Sequence, residues 1–179
     1  RNISGAIGRV LFPVLSKLQD DHHAFRETYL QLIKKVAFFT FPIVIGILAV
    51  STPFFTYFLG GKWVPALPLV FILTPLGLIQ SIINLTGAIY TAKGRTDLQF
   101  KWNVIFGVFI ILSFVIGLNW GVTGVASAYM IAALIIAYPN LKIPYNLVQL
   151  KPFNVFKTIL PSLGITIVMG IVVYYMGFA

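Results

Sequence analysis

Arg9 stands in the middle of a stretch, Asn2 to Ser16, that carries no other charge. A central arginine costs about 2.5–3.5 kcal/mol to place in a membrane. Its planar guanidinium can grip the oxygens of a phosphate in pairs, so Arg9 is a candidate anion contact; the alternative is a side chain that snorkels to a helix end. Gln80, Ser81 and Asn84, with Gly77 and Thr91, recur at three- and four-residue spacing beside Gly87 and Ala88. On a continuous helix that spacing gathers amides and hydroxyls on one face. The face could line a wet cavity and offer neutral hydrogen bonds to sugar hydroxyls, or glue helices together at roughly 0.6 kcal/mol per bond. Arg95 lies in Lys93-Gly-Arg-Thr-Asp97 and is a second candidate for phosphate. That segment also reads as local structure, with Gly94 after a helix end, Thr96 or Asp97 capping the next helix, and the cations facing anionic lipid.

Other chemistries lack their residues. The four acids, Asp20, Asp21, Glu27 and Asp97, fall outside the long apolar runs, so no intramembrane carboxylate marks an ion pathway. His22 and His23 are adjacent and diverge on a helix, with no further ligand beside them, so no metal site is expected. There is no cysteine, no Ser/His/Asp set, no phosphate loop and no paired carboxylate. The sequence therefore reads as neither an enzyme nor a cofactor-bearing protein. The basic residues sit between apolar runs and not on one aromatic-studded face, which argues against nucleic acid. Asn2-Ile-Ser and Asn84-Leu-Thr match the glycosylation pattern but sit in apolar stretches and are discounted.

The elements that must position these residues follow from composition. The 179-residue chain is 59% hydrophobic and 9% charged, with a net charge of +9 and a mean hydropathy of +0.94. Ordinary globular proteins carry about 25% charged residues. Such a chain cannot cover its surface with polar groups, and lipid must be its solvent. The expected architecture is all-α: a polytopic bundle with helices over 36–59, 64–92, 103–119, 121–139 and 158–179 as five complete crossings, after a partial or interfacial helix over 2–18. Pro42 and Pro75 predict bends, Trp120 a tight hairpin turn, and Gly124, Ala128 and Ala132 a small-residue stripe for close helix approach. The stretches 16–35, 93–102 and 140–157 hold ten of the Lys and Arg residues, which makes them cytoplasmic connections by the positive-inside rule. Opening on Arg1 and closing behind an apolar run, the whole of 1–179 reads as one transmembrane unit cut from a longer protein.

Several local patterns carry a further likeness: Arg9-Val-Leu-Phe-Pro13, Ser16-Lys-Leu-Gln-Asp-Asp21, Phe41-Pro42, Gly61-Lys-Trp63, Lys93-Gly-Arg-Thr-Asp97, Trp120-Gly-Val-Thr-Gly-Val-Ala126 and Tyr138-Pro-Asn140. In this order and spacing the chain resembles the polysaccharide transporter branch of the multidrug/oligosaccharidyl-lipid/polysaccharide flippase superfamily, in the carboxy-terminal portion of a lipopolysaccharide or exopolysaccharide flippase. The resemblance implies the second lobe of a MATE-like fold in the bacterial inner membrane. Its partners would be membrane lipids, a first lobe supplied by sequence upstream, and an undecaprenyl-pyrophosphate-linked oligosaccharide moved outward by alternating access. Arg9 would then meet phosphate, and Gln80, Ser81 and Asn84 sugar hydroxyls. A multidrug or cation antiporter, a lipid II flippase and a non-transporting scaffold remain as alternatives.

Overall fold

The computed structural model describes residues 13–177, and helix 2–18 of the sequence reading lies mostly outside them; residues 13–17 are helical. The described chain forms helices α1 (His22–Pro53), α2 (Leu67–Ile83), α3 (Thr86–Ala92), α4 (Thr96–Gly117), α5 (Gly121–Leu147) and α6 (Pro152–Gly177). A π-helical segment, Phe54–Leu59, and a 3-10 segment, Gly61–Ala66, join α1 to α2, and Leu118–Trp120 joins α4 to α5. No strand occurs among the described residues. Four stretches are long and apolar enough to cross a membrane: His22–Leu59, Gly61–Ala92, Thr96–Leu147 and Pro152–Met176. The chain is thus an all-helical, multi-pass membrane protein.

The stretch Thr96–Leu147 is two helices and not one rod. Gly121 adopts φ +69°, open to glycine but strained for other residues. Beyond it α5 runs back along α4, so that Phe109 and Ile135 face one groove together with Ile116 and Ala128. Gly117 and Gly124 make the turn possible. A Cβ on Gly124 would lie 2.5 Å from the Gly117 carbonyl oxygen, and a Cβ on Gly117 would lie 2.6 Å from Val125 Cα. The small-residue stripe faces α4, with Ala128 and Ala132 across from Ser113 and Ile116.

Helix ends differ from the apolar runs in a consistent direction. The helix expected over 36–59 begins at His22, that over 103–119 at Thr96 and that over 158–179 at Pro152, while that over 121–139 continues to Leu147. The basic stretches 16–35, 93–102 and 140–157 are therefore mostly helix and not loop. The reason is tertiary packing, because the extensions bury apolar faces on one another. Phe25, Tyr29, Ile33, Ala37 and Phe41 recur every fourth residue along α1 and are fully buried or nearly so against Ile89, Tyr145, Val148 and Val155. Pro139 and Pro144 lie inside α5. Pro144 and Tyr145 are buried there, and that burial offsets the lost backbone donors. At 32 residues α1 is about 48 Å long against a hydrocarbon core of about 30 Å, so its first turns must project past the hydrocarbon. The core of the molecule sits here, at the basic end. Towards the other end large apolar side chains such as Phe58, Val122 and Met176 stay exposed.

Asp21 starts α1. Its carboxylate accepts from the backbone N–H of His23 at 2.9 Å and of Ala24 at 3.0 Å, and the Ala24 bond chiefly holds the carboxyl below the usual aspartate range. A depressed pKa means the cap is in force at neutral pH and is lost only as pH falls through that lowered value. Asp21→Ala should speed amide exchange at residues 23 and 24 severalfold. Acidification should likewise lower the protection of these two amides, measured against intrinsic exchange at each pH, in the parent protein but not in the variant.

Candidate functional site

The single helix expected over 64–92, with a bend at Pro75, starts instead as the 3-10 segment Gly61–Ala66 and is broken between α2 and α3, at Asn84 and Leu85. The Leu85 N–H donates to Ile82 O at 3.1 Å and the Ala88 N–H to Leu85 O at 3.2 Å, three-residue closures that tighten the turn. Hydroxyls flank the break and donate to carbonyls three residues back, Ser81 to Leu78 O within α2 and Thr86 across the break to Ile83 O, each at 2.7 Å. Such back-bonding competes with the regular ladder and bends helices.

The break distributes the amides and hydroxyls over different neighbours. A Cβ on Gly77 would lie 3.6 Å from the Val44 side chain of α1, and one on Gly87 would lie 3.3 Å from the Gln99 amide nitrogen of α4. The Gln80 side-chain Nε2 donates to the Tyr129 hydroxyl of α5 at 2.7 Å, so Gln80 clasps two helices together. Its own carbonyl oxygen remains an acceptor, and the Tyr129 hydroxyl keeps its proton to donate. The Tyr129 ring tilts against Phe114 at 5.5 Å between centroids. Asn84 is exposed at the break, and its amide meets no partner among the described residues. Ser81 is half-buried with its proton already committed. Gln80, Tyr129 and Asn84 therefore present neutral donors and acceptors near the break. Tyr129 was not singled out from the sequence; a tyrosine inside an aliphatic run, whose hydroxyl needs a partner, was the available signal.

Arg9 lies outside the described residues. Arg95 follows a glycine with φ +63°; its N–H donates to Tyr90 O at 2.8 Å and that of Gly94 to Thr91 O at 3.1 Å, a Schellman closure of α3. The sequence reading of Gly94 as the residue after a helix end holds. Arg95, and not Thr96 or Asp97, occupies the cap position of α4. Its Nε donates to Asp97 Oδ1 at 3.2 Å. The guanidinium, about half exposed, retains donors for a further anion.

Two other cations brace the basic end. Lys93 Nζ donates to the Gln19 carbonyl and lies 5.5 Å over the Phe25 ring. Arg26 donates to the Gln149 carbonyl at 3.2 Å, across the chain from α1 to the turn before α6. His23 pairs with Glu27 at 3.7 Å and not with His22.

Comparison with known proteins comes from the sequence. The family model described as "Polysaccharide biosynthesis protein" matches residues 1–68. The chain is 33% identical over 175 residues, 93% of its length, to the lipopolysaccharide biosynthesis protein WzxC of Escherichia coli (strain K12). It is 28% identical over 96% of its length to the teichuronic acid biosynthesis protein TuaB of Bacillus subtilis (strain 168). An uncharacterized membrane protein in the cps region of Klebsiella pneumoniae is 29% identical over 74% of the chain. The chain spans 36% of the length of the first two relatives. No solved structure gives a significant match. The resemblance carried by the motifs is borne out over nearly the whole chain.

Proposed function

We propose that this chain, similar over nearly its whole length to bacterial polysaccharide-biosynthesis proteins, is part of a flippase that moves an undecaprenyl-pyrophosphate-linked oligosaccharide across the bacterial inner membrane for surface polysaccharide synthesis. The observation that carries this reading is the alignment of 93% of the chain with a lipopolysaccharide biosynthesis protein. The broken α2–α3 helix supports it, since interrupted membrane helices with free polar groups are the usual walls of transport cavities. With α4 and α5 counted separately, five helices cross the bilayer as the second lobe of a MATE-like fold, completed by a first lobe elsewhere in the protein. The basic end faces the cytoplasm.

In this mechanism Arg9 and Arg95 meet the pyrophosphate, while Gln80, Asn84 and Tyr129 replace water around the sugars. Each exchanged hydrogen bond lowers the cost of carrying a polar head past apolar helices, and rocking of the two lobes opens the cavity to each side in turn. The chain transports and catalyses no reaction. The acids lie at the basic end, with Asp97 in the first turn of α4 and Glu27 early in α1, which favours a lipid-linked glycan over a cation as cargo.

The test is export by the full-length protein in a strain lacking its own copy. A charge-assisted contact of about 1.5–3 kcal/mol corresponds to about ten- to hundredfold. Arg9→Ala should therefore lower surface polysaccharide by that factor at unchanged membrane abundance, and Arg9→Lys should restore it only in part. Export at parental levels from Arg9→Ala would remove Arg9 from the site.

A further inference from the structure

The described helices fall into two tightly packed sets. In the first, neighbouring residues of α1 hold α2 and α6: a Cβ on Gly77 would lie 3.6 Å from the Val44 side chain, and one on Gly170 would lie 2.6 Å from Ile45 Cγ2. In the second, α4 and α5 meet backbone to backbone at Gly117 and Gly124. Contact between the sets is sparser. Although α5 and α6 are consecutive, they hardly touch, and α4 hardly approaches α1, α2 or α6. The α4–α5 hairpin meets the first set chiefly where α5 lies along α2. At the basic end α3 bridges the two sets, with Ile89 and Ala92 in the shared core.

The hairpin is fastened at that end. Gly94, with φ +63°, leads into α4, and Gln149, with φ +54°, leads out of α5 into α6. A left-handed glutamine persists only where its surroundings hold it, and here Arg26 donates to its carbonyl at 3.2 Å. Lys93, beside Gly94, donates to the Gln19 carbonyl. Tyr145 is held in the same region by the Tyr29 ring, 6.0 Å away between centroids. Nearby in α5, Pro139 and Pro144 take donors out of the helix ladder, which eases bending. At the far end of the hairpin the Leu118 and Trp120 side chains are exposed. Between the two ends stands a polar tie to α2, the 2.7 Å bond from Gln80 Nε2 to the Tyr129 hydroxyl. The Tyr129 ring rests on Phe114 of α4, so Tyr129 belongs with the hairpin.

We propose that the α4–α5 hairpin swings as one unit about its basic end, and that the Gln80–Tyr129 hydrogen bond is the latch that holds it against α2. Tyr129 lies about 24 Å along α5 from Tyr145, so a swing of about 10° parts Gln80 from Tyr129 by about 4 Å, room for a hydroxyl to enter. A bond between neutral side chains of two membrane helices is weak enough to be made and broken in such a cycle. The proposal rests on the transport reading above, under which the opened latch turns the Gln80 amide and the Tyr129 hydroxyl towards the glycan.

The experiment measures distances between spin-label pairs in the full-length protein, freed of other cysteines, in nanodiscs without cargo. Labels at Val50 and Val122, exposed positions on α1 and α5, read across the two sets, and labels at Val104 and Val122 read within the hairpin. The latched parent should give one narrow distribution between positions 50 and 122. Tyr129→Phe keeps the ring on Phe114, and Gln80→Leu keeps the bulk of the side chain. Each should lengthen the distance between 50 and 122 by several ångströms and leave that between 104 and 122 as it was. A broad distribution in the parent, an unchanged one in Tyr129→Phe or in Gln80→Leu, or an equal change within the hairpin would each overturn the proposal. The distances are read without any glycan, so their failure is distinct from a failure of export.

Discussion

Gly117→Ala is expected to unfold the hairpin of α4 and α5, although it adds a single methyl group. That carbon would sit 2.6 Å from Val125 Cα, 2.8 Å from the Gly124 carbonyl oxygen and 2.9 Å from the Val125 nitrogen. Each obstacle is backbone, so no side chain can rotate away and the two helices must separate. Overpacking costs about 1–3 kcal/mol where the surroundings relax; here they cannot, and the loss should reach or exceed the top of that range. Gly164→Ala is the control, because a Cβ there meets nothing within 4 Å. Thermal unfolding of the purified full-length protein should show a large drop for Gly117→Ala and none for Gly164→Ala. Equal behaviour of the two would mean that α4 and α5 do not pack this closely.

Phe25→Ala should be comparably damaging at the opposite end of the molecule. Phe25 is completely buried in the cluster with Tyr29, Tyr145 and Val148, and removing a core phenylalanine costs about 3–5 kcal/mol. The same ring lies beneath the Lys93 ammonium, which also holds the Gln19 carbonyl, so the substitution loosens the brace between residue 19 and the end of α3. Phe39→Ala, at a ring 68% exposed, should leave stability nearly unchanged in lipid. Hydrogen exchange over residues 22–33 distinguishes the two, rising for Phe25→Ala alone.

The apolar runs located the crossings because hydrocarbon thickness sets their length. They did not locate the helix ends, since a helix continues into water wherever it finds something to pack on. The fourfold spacing of Phe25, Tyr29, Ile33, Ala37 and Phe41 lay open in the sequence, but the charges interleaved with it made 16–35 resemble a loop. The Gly94 turn was legible because its signal is local, a glycine at a helix end. The clasp of Gln80 on Tyr129 was not, because its two halves stand far apart in sequence and only the packing of α2 on α5 brings them together. The break at Asn84 hid for a related reason: no proline or glycine stands there, and it goes with hydroxyls folding back on carbonyls three residues earlier.

The cluster around Tyr29 and Tyr145 gathers most of the tight packing at one pole, and few side chains interlock at the other. Stiffness follows packing, so the described bundle is a lever anchored at its charged foot. A small tilt at the anchored pole is magnified along some 48 Å of α1, so the widest displacement falls at the opposite, loosely packed pole.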